Sequence, residues 1–451
     1  MVRWADVVGW DAWVILVCVC AAFISVMAAG LALVARLPFP AVWIAAVWVL
    51  QESIRSSVPF GGFPWGRVAD GAGTQWASTL SFGGFSFVSF TIVLLAATLV
   101  VVVDHAVRAR AEARTTVPAI TASISIVAAV LLVPVSLSSA TDVPSRGEIT
   151  IAVVQGSVPG EGLDFLGRKR AVLENHVRVT RELAQKVREG TVAQPSLVVW
   201  PENSTDIDPR TDSAARSLIE GAVKSVGVPI LLGAVLEGNK PTEVLNAAVL
   251  WDPVTGPAVV YVKQRPVPFG EYLPLRSQLA PLISRFDRVP RDFAKGTDAG
   301  VVKVGKATLG LAICFEVAHD DIQRTTVTMG ADLLVVLTNN ATYAATDQPD
   351  QQFSITRQRS IELGRATVVA ATTGITAVVT PTGQVQAQLP TRAPGYLLEK
   401  VALTAHQTTA VRAGQGIETG LAIVGLLAVL VGAATRRRRR PGASTQRQEQ
   451  A

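Results

Sequence analysis

A chain of 451 residues in which 49% are hydrophobic and only 17% are charged is too apolar for an ordinary water-soluble enzyme of that length, so part of it is expected to lie in a membrane. The formal net charge of +6 is concentrated: Arg436 to Arg440 directly follow an apolar run, which is a cytoplasmic stop by the positive-inside rule and not the basic folded face that nucleic-acid binding requires. Of the three cysteines, Cys18 and Cys20 lie in an apolar N-terminal stretch and Cys314 stands alone in the polar remainder, which excludes a disulfide framework there.

In chain order, residues near 11–34 form an apolar run long enough to cross a bilayer, since a spanning helix needs about 20 such residues. Without a basic leader or a small-residue cleavage site it reads as a span and not as a signal peptide. Further spans are expected near 40–54, 84–103, 117–138 and 417–434, about five in all. The run at 40–54 is short and ends in Glu52 and Arg55. Arg108, Arg110 and Arg114 assign their loop to the cytoplasm, as the C-terminal arginines do for the tail, and this puts the segment between them on the opposite side. The expected organisation is a helical membrane region over 1–140, an extracytoplasmic domain over 141–410, a C-terminal transmembrane helix over 411–435 and a basic cytoplasmic tail over 436–451.

The large segment alternates short apolar runs with helical stretches. Strands are expected at ITIAVVQG (149–156), SLVVWPE (196–202), PILLGAVL (229–236), NAAVLW (246–251), ATLGLAIC (307–314), DLLVVLTNN (332–340) and within 367–383, with helices near 166–189, 212–226 and 350–365. Val, Ile and Leu strands interleaved with helices predict an α/β layered fold with a buried sheet. Between Pro266 and Gly300 the pattern breaks into a stretch rich in Pro, Phe and Leu, expected to be a long functional loop that gates access from the bilayer.

Three strand-end motifs carry chemistry: WPENS with Glu202, YVKQRPVPFGEYLP with Lys263 and Glu271, and AICFEVAHD with Cys314 and Glu316. A thiol needs a base to become a nucleophilic thiolate, and a tetrahedral oxyanion needs a cation or N–H donors beside it. A carboxylate, an ammonium and a thiol supply that set. The four histidines show no metal-ligand spacing; His319 is near enough to Cys314 in sequence for a Cys–His dyad to stay open as a minor alternative. Asn339 and Asn340 could form a turn or line the site.

In order and context, with glutamate in WPE, lysine shortly before PFGE and cysteine in ICxE, these motifs resemble the nitrilase superfamily. The PVPFGEYLP form, LTNNA (337–341), GITAVVTPTG (374–383), GGFPWG (61–66) and the flanking apolar spans are similar to the apolipoprotein N-acyltransferase family. The resemblance implies a four-layer αββα nitrilase-like domain inserted in a transmembrane α-helical bundle. It also implies transfer of an acyl chain from a phospholipid donor to the N-terminal amine of a diacylglyceryl-cysteine lipoprotein. It assigns Cys314 as nucleophile, Glu202 as general base, Lys263 as oxyanion stabiliser, Glu271 as a second essential carboxylate and Glu316 as support for the cysteine loop. Trp65 and Phe315 would contact substrate, as would Asn339. No metal or organic cofactor and no nucleic acid is expected, and the chain would work in the cell membrane as a monomer. Two departures from the family pattern are that roughly three N-terminal spans are missing, and that SVPGEGLDF after Gly156 lacks a tryptophan. A membrane-tethered carbon–nitrogen hydrolase and a non-catalytic lipoprotein-binding scaffold stay open as rivals.

Overall fold

The long apolar runs among the described residues end as helices or buried strands in the computed structural model, which describes residues 2–112, 127, 128, 130–132, 135, 144–158, 170–282 and 289–438. The described residues fall into two units, one drawn from Met1–Val14, Gly73–Phe82 and Ser138–Arg412, the other from Ile15–Ala72, Gly83–Leu137 and Ala413–Ala451.

The helical unit contains most of α1 (Trp10–Val34), α2 (Pro40–Arg55), the greater part of α3 (Ala77–Glu112) and the C-terminal helix Gly416–Arg438. Among the described residues three helices are long and apolar enough to cross a membrane: Trp10–Val34, Thr74–Val107 and Gly416–Arg437. The run at 40–54 is indeed helical, but its 16 residues reach about 24 Å, short of a hydrocarbon core of about 30 Å. It is instead packed from several sides: Ala45, Ala46 and Val49 meet Phe90, Val93 and Leu94 of α3, while Val47 meets Met27 and Val34 of α1 and Ala428 of the C-terminal helix. A Cβ at Gly425 would come within 2.5 Å of the Ala46 carbonyl oxygen, so the two helices touch backbone to backbone only because that residue is glycine. The polar end of α2 is also buried, with Arg55 donating to the carbonyls of Phe63 (2.9 Å) and Trp65 (2.5 Å) and Glu52 accepting from Trp48 Nε1 (3.0 Å) and Val68 N (2.8 Å). Gly84, at φ +70°, interrupts α3, a conformation glycine adopts without a Cβ penalty. The span expected near 117–138 lies largely outside the described residues.

The α/β unit holds two mixed sheets. The first orders its strands β13 (Gly395–Thr404), β1 (Ser145–Gln155), β2 (Leu197–Val199), β3 (Ile230–Glu237), β4 (Glu243–Asp252) and β5 (Gly256–Val262), with β6 (Asp292–Phe293) beside β4. The second runs β12 (Val385–Gln388), β11 (Ala377–Val379), β10 (Thr367–Ala371), β9 (Leu333–Thr338), β8 (Ala307–Ile313) and β7 (Val301–Val304). Strand alternation explains the layering. Ile151, Val153, Leu197, Val199 and Leu231 of the first sheet share one core with Leu309, Leu311, Ile313, Leu333, Val335, Leu337 and Val368 of the second. Their neighbours Ala152, Val154, Val198, Trp200 and Leu232 point the other way, against Leu173, Val177 and Leu183 of α4 (Ala171–Arg188) and Ile219 and Val223 of α5 (Ser213–Val226). On the far side Leu334 packs with Val327 of α6 (Asp320–Thr328), Leu363 of α7 (Gln348–Leu363) and Val411 of α8 (Thr409–Ala413). The order is therefore helices, sheet, sheet, helices. Strands buried on both faces cannot alternate apolar with polar, which is why they read as unbroken runs. Each fully buried Leu, Ile or Val contributes about 1.5–3 kcal/mol, so this double core is the main store of stability.

Candidate active site

The parallel strands β1, β2 and β3 and the parallel trio β8, β9 and β10 open at their carboxyl ends, where α/β sheets usually present functional groups. Glu202 follows β2 through Trp200 and Pro201. That turn lies tightly on β3: a Cβ on Gly233 would stand 2.5 Å from the Glu202 Cα, and Gly233 N donates to the Pro201 carbonyl at 3.1 Å. Glycine in GAVL thus fixes where the glutamate stands.

Lys263 directly follows β5 and is 1% exposed. Its Nζ donates to Glu202 Oε1 at 3.2 Å and to Glu271 Oε1 at 3.0 Å. Burial alone would discharge the ammonium, but the charges of Glu202 and Glu271, with Cys314 and Glu316, outweigh it and hold Lys263 well above the usual lysine range. Asn246 of β4, 1% exposed, donates from one amide nitrogen to both carboxylates, at 2.6 Å to Glu202 Oε1 and 2.8 Å to Glu271 Oε1. The second oxygens are held by backbone: Asn339 N donates to Glu202 Oε2 at 2.8 Å and Val267 N to Glu271 Oε2 at 2.7 Å. One cation and one amide therefore gather two carboxylates in a buried cluster, the arrangement that a buried charge needs to survive.

Cys314 is the first residue past β8 and opens the 3₁₀ turn Cys314–Ala318. Its φ is +53°, a left-handed conformation that a residue with a side chain adopts only when its surroundings enforce it. Two sets of contacts do so. Glu316, buried, accepts from Ile313 N (2.8 Å), Gln264 N (2.7 Å), Arg265 N (3.0 Å) and the Tyr261 hydroxyl (2.9 Å), which ties the cysteine turn to the residues just after Lys263. From below, Arg359 of α7 donates to the carbonyls of Val317 and Ala318, both at 3.0 Å, and is paired with Asp320 and Glu362. Burial first, then the Glu202 charge, pushes the Cys314 thiol up to about 12, against the pull of Lys263 and a hydrogen bond with the Thr338 side chain. Burial likewise raises the Glu316 carboxyl, opposed by Lys263 and the N–H groups of Ile313 and Arg265.

The structure thus brings Glu202, Lys263 and Glu271 into one cluster next to Cys314, with Glu316 bracing both segments. Asn339 reaches it through its backbone N–H, while its side-chain oxygen accepts from Ala341 N (3.1 Å) and Thr372 Oγ1 (2.8 Å), so its amide is a turn former. Phe315 is half-buried and packs edge-on against His319, ring centroids 5.4 Å apart. Trp65 belongs to the helical unit, where it is buried. Among the described residues no group of His, Cys, Asp and Glu is placed to hold a metal ion. In the segment expected to be a loop, Arg276 pairs with Asp292 at 2.5 Å, clasping Leu273–Leu282 to β6; Leu273 is buried, Phe269 and Leu275 are exposed, and 283–288 lie outside the described residues. Asn246, Tyr261 and Thr338 were missed in sequence. Asn246 had one signal, a lone amide opening an otherwise apolar strand.

Known proteins resemble the chain over both of its units. Residues 150–411, more than half of the chain, match the carbon–nitrogen hydrolase family, and residues 1–98 match the apolipoprotein N-acyltransferase N-terminal domain. The chain is 37% identical over 318 residues to an apolipoprotein N-acyltransferase of Mycolicibacterium smegmatis, covering 70% of this chain and 53% of that protein. It is 26% identical over 373 residues to one of Pseudomonas syringae, covering 81% and 69%. It therefore spans about half the length of the first relative. An amidase from Nesterenkonia superposes with a TM-score of 0.41 at 18% identity, covering 62% of this chain and 97% of the amidase. On the family match over the α/β unit, the chain belongs to the carbon–nitrogen hydrolase family.

Proposed function

We propose that the protein is a membrane acyltransferase that moves an acyl chain from a phospholipid to the N-terminal amine of a diacylglyceryl-cysteine lipoprotein through a thioester on Cys314. The observation that carries this reading is the strained Cys314 turn beside a buried lysine that two carboxylates share. A thiol near pH 12 is unreactive at rest and must be deprotonated as it attacks. Glu202 takes the S–H proton; the sulfur adds to the ester carbonyl, and the oxyanion forms near Lys263. Collapse expels the lysophospholipid alkoxide, which takes the proton from Glu202 and leaves a thioester. The lipoprotein amine then attacks the thioester and loses a proton to Glu202, which passes it to the departing sulfur, so that the amide and the Cys314 thiol are released and Glu202 is again a carboxylate. Glu271 keeps Lys263 in place, and its charge adds to that of Glu202 in holding the thiol protonated until it attacks. The apolar helices and the names of the relatives support lipid and lipoprotein as substrates, and the positive-inside pattern supports an extracytoplasmic α/β unit.

The test is transfer with purified full-length chain, phospholipid vesicles and a diacylglyceryl peptide bearing a free N-terminal amine. Triacylated peptide and lysophospholipid should appear in equal amounts. Free fatty acid with no modified peptide would make water the acceptor and the protein a hydrolase.

A further inference from the structure

Directly beside the cysteine turn lies a buried set of uncharged polar side chains that the proposed chemistry leaves unused. Strands β8 and β9 run parallel with Ile313 opposite Leu337, so one step further along, Cys314 and Thr338 sit side by side at the carboxyl end of the sheet. Thr338 is 2% exposed, and its side chain is one of the groups that pull the Cys314 thiol down against burial. One lone pair of its hydroxyl is occupied, because Gln352 Nε2 of α7 donates to Thr338 Oγ1 at 3.0 Å. Gln352 is itself fixed: its Oε1 accepts from Asn340 Nδ2 and from Gln348 Nε2, each at 2.9 Å, and Asn340 Nδ2 also donates to Gln348 Oε1 at 2.9 Å. Thr338 Oγ1 donates to Asn340 Oδ1 at 3.3 Å, and this carbonyl has room only because residue 374 is glycine, whose Cβ would stand 2.6 Å from it.

This arrangement leaves the hydroxyl proton of Thr338 two acceptors, the long contact to Asn340 and the sulfur. Apolar residues would fill this space more cheaply, since every buried polar group must find a partner. We propose that Thr338 is a positioning residue whose hydroxyl turns from its long bond to Asn340 to donate to the Cys314 sulfur as the thiol ionises, and that Gln352, fixed by Asn340 and Gln348, holds the hydroxyl in place for that exchange. As the thiol gives up its proton, the sulfur gains charge and becomes the better acceptor, so the bond strengthens in the reactive state. Lys263 compensates the charge from the Glu202 side and Thr338 from the β9 side. This rests on Cys314 being the nucleophile.

The experiment measures the rate of iodoacetamide alkylation of the Cys314 peptide against pH in the full chain, by mass spectrometry, for the unaltered protein, Thr338→Val, Thr338→Ser and Glu202→Gln. A hydrogen bond to a charged sulfur corresponds to about tenfold in thiolate population, so Thr338→Val should alkylate about tenfold more slowly at a given pH, its profile displaced upward by about one unit. Thr338→Ser, which keeps the hydroxyl, should follow the unaltered profile. An unshifted Thr338→Val profile overturns the inference, and so does a Thr338→Ser profile displaced as far as that of valine, which would make the methyl packing the cause. Failure of the nucleophile reading looks different: Cys314 alkylation would then be indifferent to Glu202→Gln as well.

Discussion

The α/β unit buries two ionic clusters within one fold, and they are built on opposite plans. In the first, Lys263 faces Glu202 and Glu271, one positive charge against two negative, with a neutral thiol alongside. In the second, Arg359 and Arg324 face Glu362 and Asp320, two against two. The balanced cluster sits beneath the turn Cys314–Ala318 and spends its remaining donors on the carbonyls of Val317 and Ala318. The unbalanced cluster is capped by Asn246 and backbone N–H groups and carries an excess of negative charge toward Cys314. A matched set of ions fixes geometry, whereas an unmatched one acts on its neighbour: the charges of Glu202 and Glu271 push the Cys314 thiol up. The same burial makes the Arg359 cluster a brace and leaves the Lys263 cluster acting on the thiol.

That contrast predicts different failures. Glu202→Gln removes the proton acceptor but leaves a side chain of nearly the same shape, so acylation of Cys314 should slow by about 10²–10⁴-fold with the unfolding midpoint little changed; equal losses in rate and stability would erase the distinction. Arg359→Met leaves Glu362 with Arg324 alone and takes from Asp320 its pair with Arg359, and breaking such a buried pair costs about 3–5 kcal/mol, to be read as a lowered denaturant midpoint. Destabilisation below about 1 kcal/mol, the range of exposed pairs, would mean the cluster is not the brace it looks like.

A third buried titratable group sharpens the comparison because it has no ionic partner. His176 is fully buried on α4, its Nδ1 2.7 Å from the Val172 carbonyl and its ring 5.7 Å from that of Trp200, while Nε2 has no hydrogen-bond partner among the described residues. Burial lowers it from 6.5 to about 4. The unfolded chain takes up a proton as pH falls through 6.5 and the folded chain does not until about 4, so stability is present above 6.5 and lost across that window. The linked loss is about 3 kcal/mol at pH 4. His176→Phe should flatten the dependence of the unfolding midpoint between pH 6.5 and 4; a slope as steep as in the unaltered chain would assign it to other groups.

Glu202, Lys263, Glu271, Cys314 and Glu316 were legible in the sequence because each stands in a polar motif that interrupts an apolar strand. Strand positions were legible for the same reason: double-sided burial writes unbroken Val, Ile and Leu. What stayed hidden were groups whose role depends on a partner far away in the chain. Asn246 meets Glu202 across 44 residues and Glu271 across 25, and Thr338 is aimed by Gln352 from the next helix. Neither spacing has a local signature. Hydropathy alone also could not show how a helix is packed: the run at 40–54 reads only as apolar, and the burial of Gln51, Glu52 and Arg55 at its end depends on neighbours far away in the chain. The tight passage of Glu202 over Gly233 is a three-dimensional fact that one glycine in a strand can only hint at.

The central claim is that Cys314 carries the acyl group. Purified chain given phospholipid without an acceptor amine should gain the mass of one acyl chain on the peptide containing Cys314, and neutral hydroxylamine should release it as a thioester. Cys314→Ala should show no adduct. An acyl chain found on any other residue, or resistant to hydroxylamine, would contradict the account.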